Sequence, residues 1–172
     1  MEKKVLLIAD THFGVENIIL YENRPFIDIE EMNEKLISNW NSVVGENDEV
    51  FLLGDFSAHG SEKSQAIGHS LNGKKTLILG NHDDKGKRFY YECGFENVIE
   101  YPIIYNGFFI LSHEPLYINT NMPYANIFGH VHGNPMYATV TSQSFCVSVE
   151  RIDYKPIEIS EIINRMKAER KK

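Results

Sequence analysis

Five short apolar runs in this chain each end on a side chain that carries an oxygen or nitrogen lone pair. Val5-Leu6-Leu7-Ile8-Ala9 leads into Asp10, Val50-Phe51-Leu52-Leu53-Gly54 into Asp55, and Thr76-Leu77-Ile78-Leu79-Gly80 into Asn81. Phe108-Phe109-Ile110-Leu111-Ser112 leads into His113, and Ala125-Asn126-Ile127-Phe128-Gly129 into His130. Short apolar runs bounded by turn residues read as buried strands. In open α/β sheets ligands gather beyond the carboxyl ends of such strands. The pattern therefore predicts five strand ends converging on one polar site, and the donor types make that site a metal centre.

The elements between these runs complete the fold class. Asp28, three residues before Glu31, forms a capping-box-like start for a helix from about Ile29 to Val44. Ser61 to Leu71 and Asp84 to Cys93 read as shorter helices, with Gly73 and Gly94 as stops. Thr11 to Pro25 reads as a polar and aromatic loop. Asn106-Gly107 between two apolar triplets is a hairpin signal, because both residues tolerate positive φ. Met136 to Thr141 and Ser144 to Glu150 read as adjacent strands, and Ile159 to Ala168 as a C-terminal helix. The order β-α-β-α-β-α followed by mostly β predicts an α/β architecture: two packed mixed β-sheets, a β-sandwich core flanked by helices, in one domain over residues 1–172.

Composition limits the partners. The 172 residues carry a formal charge of −7, which argues against an extended nucleic-acid surface. No apolar stretch reaches the ~20 residues of a membrane span, so no membrane partner is expected and the expected address is the cytoplasm. The two cysteines, Cys93 and Cys146, have no metal-type spacing and are expected as free, partly buried thiols.

Five of the seven histidines lie in motifs: Asp10-Thr11-His12, Gly80-Asn81-His82-Asp83, Ser112-His113-Glu114 and Gly129-His130-Val131-His132-Gly133. A two-residue spacing on a strand puts Asp10 with His12, and His130 with His132, on one face. Imidazoles, carboxylates and one amide oxygen, with no thiolate, suit Mn²⁺, Fe, Ni²⁺ or Zn²⁺ in a catalytic site. Seven candidate ligands are too many for one ion and fit two that share a carboxylate. Asp55 is where an aspartate is most demanded, since a carboxylate can bridge two cations and a neutral imidazole cannot.

In order and rough spacing, Asp-x-His, Gly-Asp, Gly-Asn-His-Asp, a lone His and Gly-His-x-His resemble the calcineurin-like metallophosphoesterases from Asp10 to Gly133. Asn23-Arg24-Pro25-Phe26 after the first motif is similar to the small bacterial and phage members. The resemblance implies that family's fold, with Asp10, His12 and His132 on one divalent ion, Asn81, His113 and His130 on a second, and Asp55 bridging. Manganese is the first expectation for both ions. It implies His82 beside the phosphate as general acid or transition-state stabiliser, with Asp83 a candidate partner for its ring. Two ions about 3.5–4 Å apart can clamp phosphoryl oxygens and generate an attacking hydroxide.

Two departures bear on substrate. Many family members continue Gly-Asp with an Asp-Arg pair, whereas this chain reads Phe56-Ser57-Ala58-His59, which disfavours protein dephosphorylation. Arg24 is the candidate substrate contact in its place; the competing reading is a loop arginine paired with Glu22, Asp28 or Glu30. Small relatives often carry a His after Phe-Gly in the first loop, where this chain has Val15. His59, Glu114 and the aromatics Phe13, Tyr21, Phe26, Tyr117 and Tyr124 are secondary candidates for the rim. The expected activity is a dinuclear metal-dependent hydrolysis of a phosphodiester or nucleotide-like phosphoester. The rivals are a phosphomonoesterase for a small metabolite or nucleotide, a nuclease, and a non-catalytic scaffold of the same fold.

Overall fold

The computed structural model describes residues 3–171. Strands β1 (Val5–Ile8), β2 (Glu49–Leu53), β3 (Lys74–Ile78) and β4 (Asn97–Ile99) are successive parallel neighbours in a first sheet, which β9 (Ile157–Glu158) closes antiparallel to β1. The near-continuous apolar composition of β1 to β3 follows from this arrangement, since parallel strands are covered on both faces. The parallel connections run through α2 (Ile29–Val43), α3 (Ser61–Ser70) and α4 (Gly86–Glu92). The Thr11–Pro25 segment is not wholly loop, because α1 (Asn17–Tyr21) forms one turn of helix there.

The α2 start follows from its sequence, with one change. Asp28 accepts from Glu31 N at 2.8 Å, but the Glu31 carboxylate reaches back to Ile27 N at 2.6 Å and not to the cap itself. Met32, Leu36 and Trp40 form the buried stripe, each contributing roughly 1.5–3 kcal/mol on burial. Trp40 Nε1 donates to Asn72 O at 3.0 Å, so the indole loses no hydrogen bond inside.

The second sheet has the order β5 (Ile103–Tyr105), β6 (Phe109–Leu111), β7 (Ala125–Phe128), β8 (Ser144–Cys146). The first pair is the expected hairpin, with Asn106 at φ 50° and Gly107 at φ 68°. The remaining pairs are parallel, so both sheets are mixed. Met136 to Thr141 is not a strand; it meets β8 only around the Val140–Phe145 bridge, where Cys146 N donates to Thr139 O and Thr141 N to Ser144 O, both at 2.9 Å. Residues Val149–Arg151 form a 3₁₀ turn instead. Arg151 spans the approach to this segment, its guanidinium donating to the His132, Asn134 and Tyr137 carbonyls and to Thr139 Oγ1.

The two sheets share a core, with Phe51 of β2 edge-on to Tyr105 of β5 at 5.2 Å between ring centroids. They also join through the backbone at the ends of β1 and β8. Ala9 N donates to Val147 O at 2.9 Å and Val149 N to Ala9 O at 3.2 Å. Helix α5 (Ile159–Glu169) packs Ile162 and Met166 inward. Cys93 and Cys146 are free and buried. No helix among the described residues is long and apolar enough to cross a membrane.

Candidate metal centre

Each predicted donor sits where a strand stops. Asp10 and His12 follow β1, Asp55 follows β2, Asn81 and His82 follow β3, His113 follows β6, and His130 and His132 follow β7. Asp10, His12, Asp55, His130 and His132 all have positive φ, between 46° and 68°. The pairs Asp10/His12 and His130/His132 thus meet through left-handed turns and not through the strand alternation that their spacing predicts. Such backbone costs of order 1–3 kcal/mol per non-glycine residue and persists where surrounding bonds over-determine it. Those bonds are present: Asp10 N donates to Gly54 O at 3.1 Å, His12 N to Asp55 O at 2.9 Å, and His130 N to both Asp10 oxygens at 3.0 and 2.9 Å.

Two glycines make the convergence possible. A Cβ on Gly54 would lie 2.7 Å from Gly80 Cα, and one on Gly80 would lie 2.7 Å from Asp55 N and 2.9 Å from His113 Cε1. Two strand ends can approach this closely only where both lack side chains.

All seven predicted ligands come together. Asn81 Oδ1, His113 Nε2 and His130 Nδ1 form a triangle with sides of 2.8, 2.9 and 3.1 Å. Asp10, His12 and His132 place one donor atom each within 4.8 Å of one another, as do Asp10, Asp55 and His113. Asp55 Oδ2 lies between the two sets, 3.3 Å from His12 Nε2 and 3.5 Å from His113 Nε2. His82 is exposed at the mouth, its ring edge-on to His12 at 5.4 Å.

The residues fit a cation on their own chemistry. His12 Nε2 is buried without a hydrogen-bond partner, at a cost of order 1–3 kcal/mol unless something accepts its lone pair. Asp10 is 0% exposed, and burial raises its carboxyl above the usual carboxylate value against the opposing pull of His132 and His113. Burial acts the same way on Asp55, but the neighbouring His12 and His113 rings and the His82 backbone N–H outweigh it and hold that carboxyl at about 2.

A group with a raised carboxyl pKa costs stability once pH exceeds its unfolded value. Asp10→Asn is therefore expected to raise the unfolding midpoint of the metal-free protein at pH 7, by roughly 2–4 °C for each kcal/mol relieved, while weakening cation binding. Thermal melts in chelator check this; a midpoint below the parent's would overturn it.

Two expectations for neighbouring residues are corrected. Arg24 is not a substrate contact: its side chain is fully buried, and every N–H is engaged. Nε and Nη2 reach Glu150 Oε1 at 2.9 and 2.7 Å, Nη1 donates to Thr11 O at 3.0 Å and faces Met32 Sδ at 3.5 Å, and Nη2 donates to Asp10 O at 2.7 Å. Asp83 does not pair with the His82 ring. Its carboxylate accepts from Asp55 N at 2.7 Å, Phe56 N at 3.0 Å and Gly80 N at 2.9 Å, so it ties the β2 and β3 ends together.

Of the secondary candidates, Phe13 belongs to the core, Phe26 packs on Tyr154, and the His59 ring bonds Asn33 at 3.2 Å. Tyr21 and Tyr117 are exposed. Two residues escaped the sequence reading, Glu22 and Glu150, which together with His132 form a third group of donors within 4.8 Å. Neither lies in a motif. Glu150 is tied to the first loop only by its pairing with Arg24 across 126 positions, which sequence spacing cannot reveal.

Beside the donors opens a cavity of about 420 Å³, whose lining includes His12, Asp55 and His82, the apolar Val15 and Ile18, and Tyr21, Asp84 and Lys85. A second cavity of about 280 Å³ borders Asn81 and His113 but not His82.

The chain belongs to the calcineurin-like phosphoesterase family, whose model matches residues 3–156. It is 41% identical over 169 residues to an uncharacterized protein of Methanocaldococcus jannaschii, across 94% of this chain and 90% of that one. The Gene 66 protein of Mycobacterium phage L5 is 42% identical over 81 residues, 44% of this chain and 37% of that one. A solved protein of unknown function from Aquifex aeolicus superposes with a TM-score of 0.74 at 28% identity, covering 95% of this chain and 100% of that one. Pseudomonas putida nuclease MPE superposes with a TM-score of 0.51 at 26% identity, covering 74% of this chain and 61% of that one.

Proposed function

We propose that the protein hydrolyses a phosphodiester, or a nucleotide-like phosphoester, at a centre of two divalent cations. The observation that carries this reading is Asp55 Oδ2 seated between His12 Nε2 and His113 Nε2, beside a cavity that His82 overlooks. Asp10, His12 and His132 would hold one ion, Asn81, His113 and His130 the other, with Asp55 common to both. When bound, the ions supply neutralisation of the phosphoryl oxygens and activation of water, manganese being the first expectation.

The chain's own side chains do the rest. The His82 backbone N–H on Asp55 Oδ1, at 2.9 Å, sets the ring at the mouth of the cavity. From there an imidazole N–H protonates the departing alkoxide oxygen. Val15, Ile18 and Tyr21 give the leaving group an apolar wall, and the cavity volume suits a nucleoside-sized group. With all five Arg24 N–H groups engaged, no arginine at that position faces a monoester dianion. The nuclease named among the similar structures supports the diester class, while the charge of −7 supplies no basic track for a long polymer.

Turnover of a nitrophenyl diester and of the matching monoester by Mn²⁺-, Ni²⁺- and Zn²⁺-loaded protein tests this. The diester is expected to be cleaved at least tenfold faster. Faster monoester cleavage would favour a phosphomonoesterase, and turnover of neither, with any metal, would leave a scaffold.

A further inference from the structure

We propose that Glu150 is a positioning residue for His132, and that Arg24 clamps it in place; this rests on the metal-centre reading above. Glu150 Oε1 stands 3.2 Å from His132 Nδ1 and also accepts from Arg24 Nε at 2.9 Å and Nη2 at 2.7 Å. The Glu150 side chain is 7% exposed and that of Arg24 0%.

An ionised carboxylate can only accept, so its bond to Nδ1 requires the proton to sit there. Nε2 is then the one ring nitrogen with a free lone pair for a cation. The carboxylate fixes both the tautomer and the ring plane of His132, as outer partners of ligating histidines do.

The same guanidinium holds the carbonyls of Asp10 and Thr11. Arg24 therefore keeps the β1 turn, which bears Asp10 and His12, in register with the β7 turn, which bears His132. The pairing is poorly arranged for stability alone. Glu150 Oε2 is buried and has no hydrogen-bond partner among the described residues, and a buried unsatisfied carboxylate oxygen is destabilising. Orientation of His132 accounts for keeping it.

Mn²⁺ titration calorimetry on metal-free parent, Glu150→Ala and Glu150→Gln, together with ¹H–¹⁵N spectra of the histidine rings, tests the assignment. The parent is expected to bind two ions, and its neutral, metal-free His132 to carry the proton on Nδ1. Glu150→Ala is expected to lose that tautomer preference and to weaken one of the two ions 10–100-fold, leaving the other within threefold. Glu150→Gln, which keeps an acceptor oxygen, is expected to recover most of the loss.

Equal weakening of both ions, or no weakening in a folded Glu150→Ala protein, would overturn the proposal. So would an Nε2–H ring in the parent, a result that stands even if the alanine variant does not fold. A parent that binds no Mn²⁺ would refute the metal-centre reading instead, and the two failures are distinct.

Discussion

Replacing Asp55 with asparagine is expected to release both ions and lower kcat by more than about 10³-fold, since the whole dinuclear contribution goes with them. Asparagine has nearly the same shape and could still accept from the His82 N–H. It lacks the negative charge that two cations require in a site where Asp55 is only 2% exposed. The same substitution has a second signature in the metal-free protein. The Asp55 carboxyl lies at about 2, below the usual 3.8, so its ionised form stabilises the fold. That contribution, about 2 kcal/mol, is fully present above pH ~4 and disappears as pH falls through ~2. Asp55→Asn should therefore lower the unfolding midpoint at pH 7, opposite to the effect expected of Asp10→Asn. Metal analysis after reconstitution and melts in chelator measure both; two ions retained with near-parental turnover would remove Asp55 from the bridging role.

His82→Ala is expected to keep both ions and lose 10²–10⁴-fold in kcat. The backbone N–H on Asp55 Oδ1 survives the substitution, so only the ring is lost. The loss should depend on the leaving group: small for a nitrophenolate, which departs without protonation, and large for an alkoxide of a nucleoside. A uniform loss across leaving groups would place the ring in charge stabilisation. No loss would strip it of a catalytic part.

The contrast between these residues shows what a linear reading can reach. Asp10, Asp55, Asn81, His113 and His130 were legible because apolar strand and polar terminus are contiguous in the chain, and parallel topology then brings the termini together. The β1, β2, β3, β6 and β7 strands follow from the same signal. What failed depended on partners remote in sequence. Arg24 beside a first-loop motif reads as an exposed cation, and only Glu150, 126 residues later, reveals it as buried. Asp83 reads as a partner of the adjacent imidazole, yet three backbone N–H groups claim its oxygens. Around Met136 to Thr141, where no strand forms, the chain is likewise bonded by Arg151, whose contacts with the Tyr137 and Asn134 carbonyls no local propensity encodes. Left-handed turns at five donors were also hidden: Asp and His adopt positive φ more readily than most side chains, but that preference is too weak to mark a particular position.

The backbone seam between Ala9 and the Val147–Val149 segment has one more consequence. Asp10, His12, Asp55 and Asn81 hang from one sheet, whereas His113, His130 and His132 hang from the other. Neither half alone carries the full set of side chains proposed for either ion. A cation gripped by both would act as a rivet through the seam, so prising the halves apart and ejecting the ion become a single event. Affinity for metal and resistance to unfolding are then two readings of one joint.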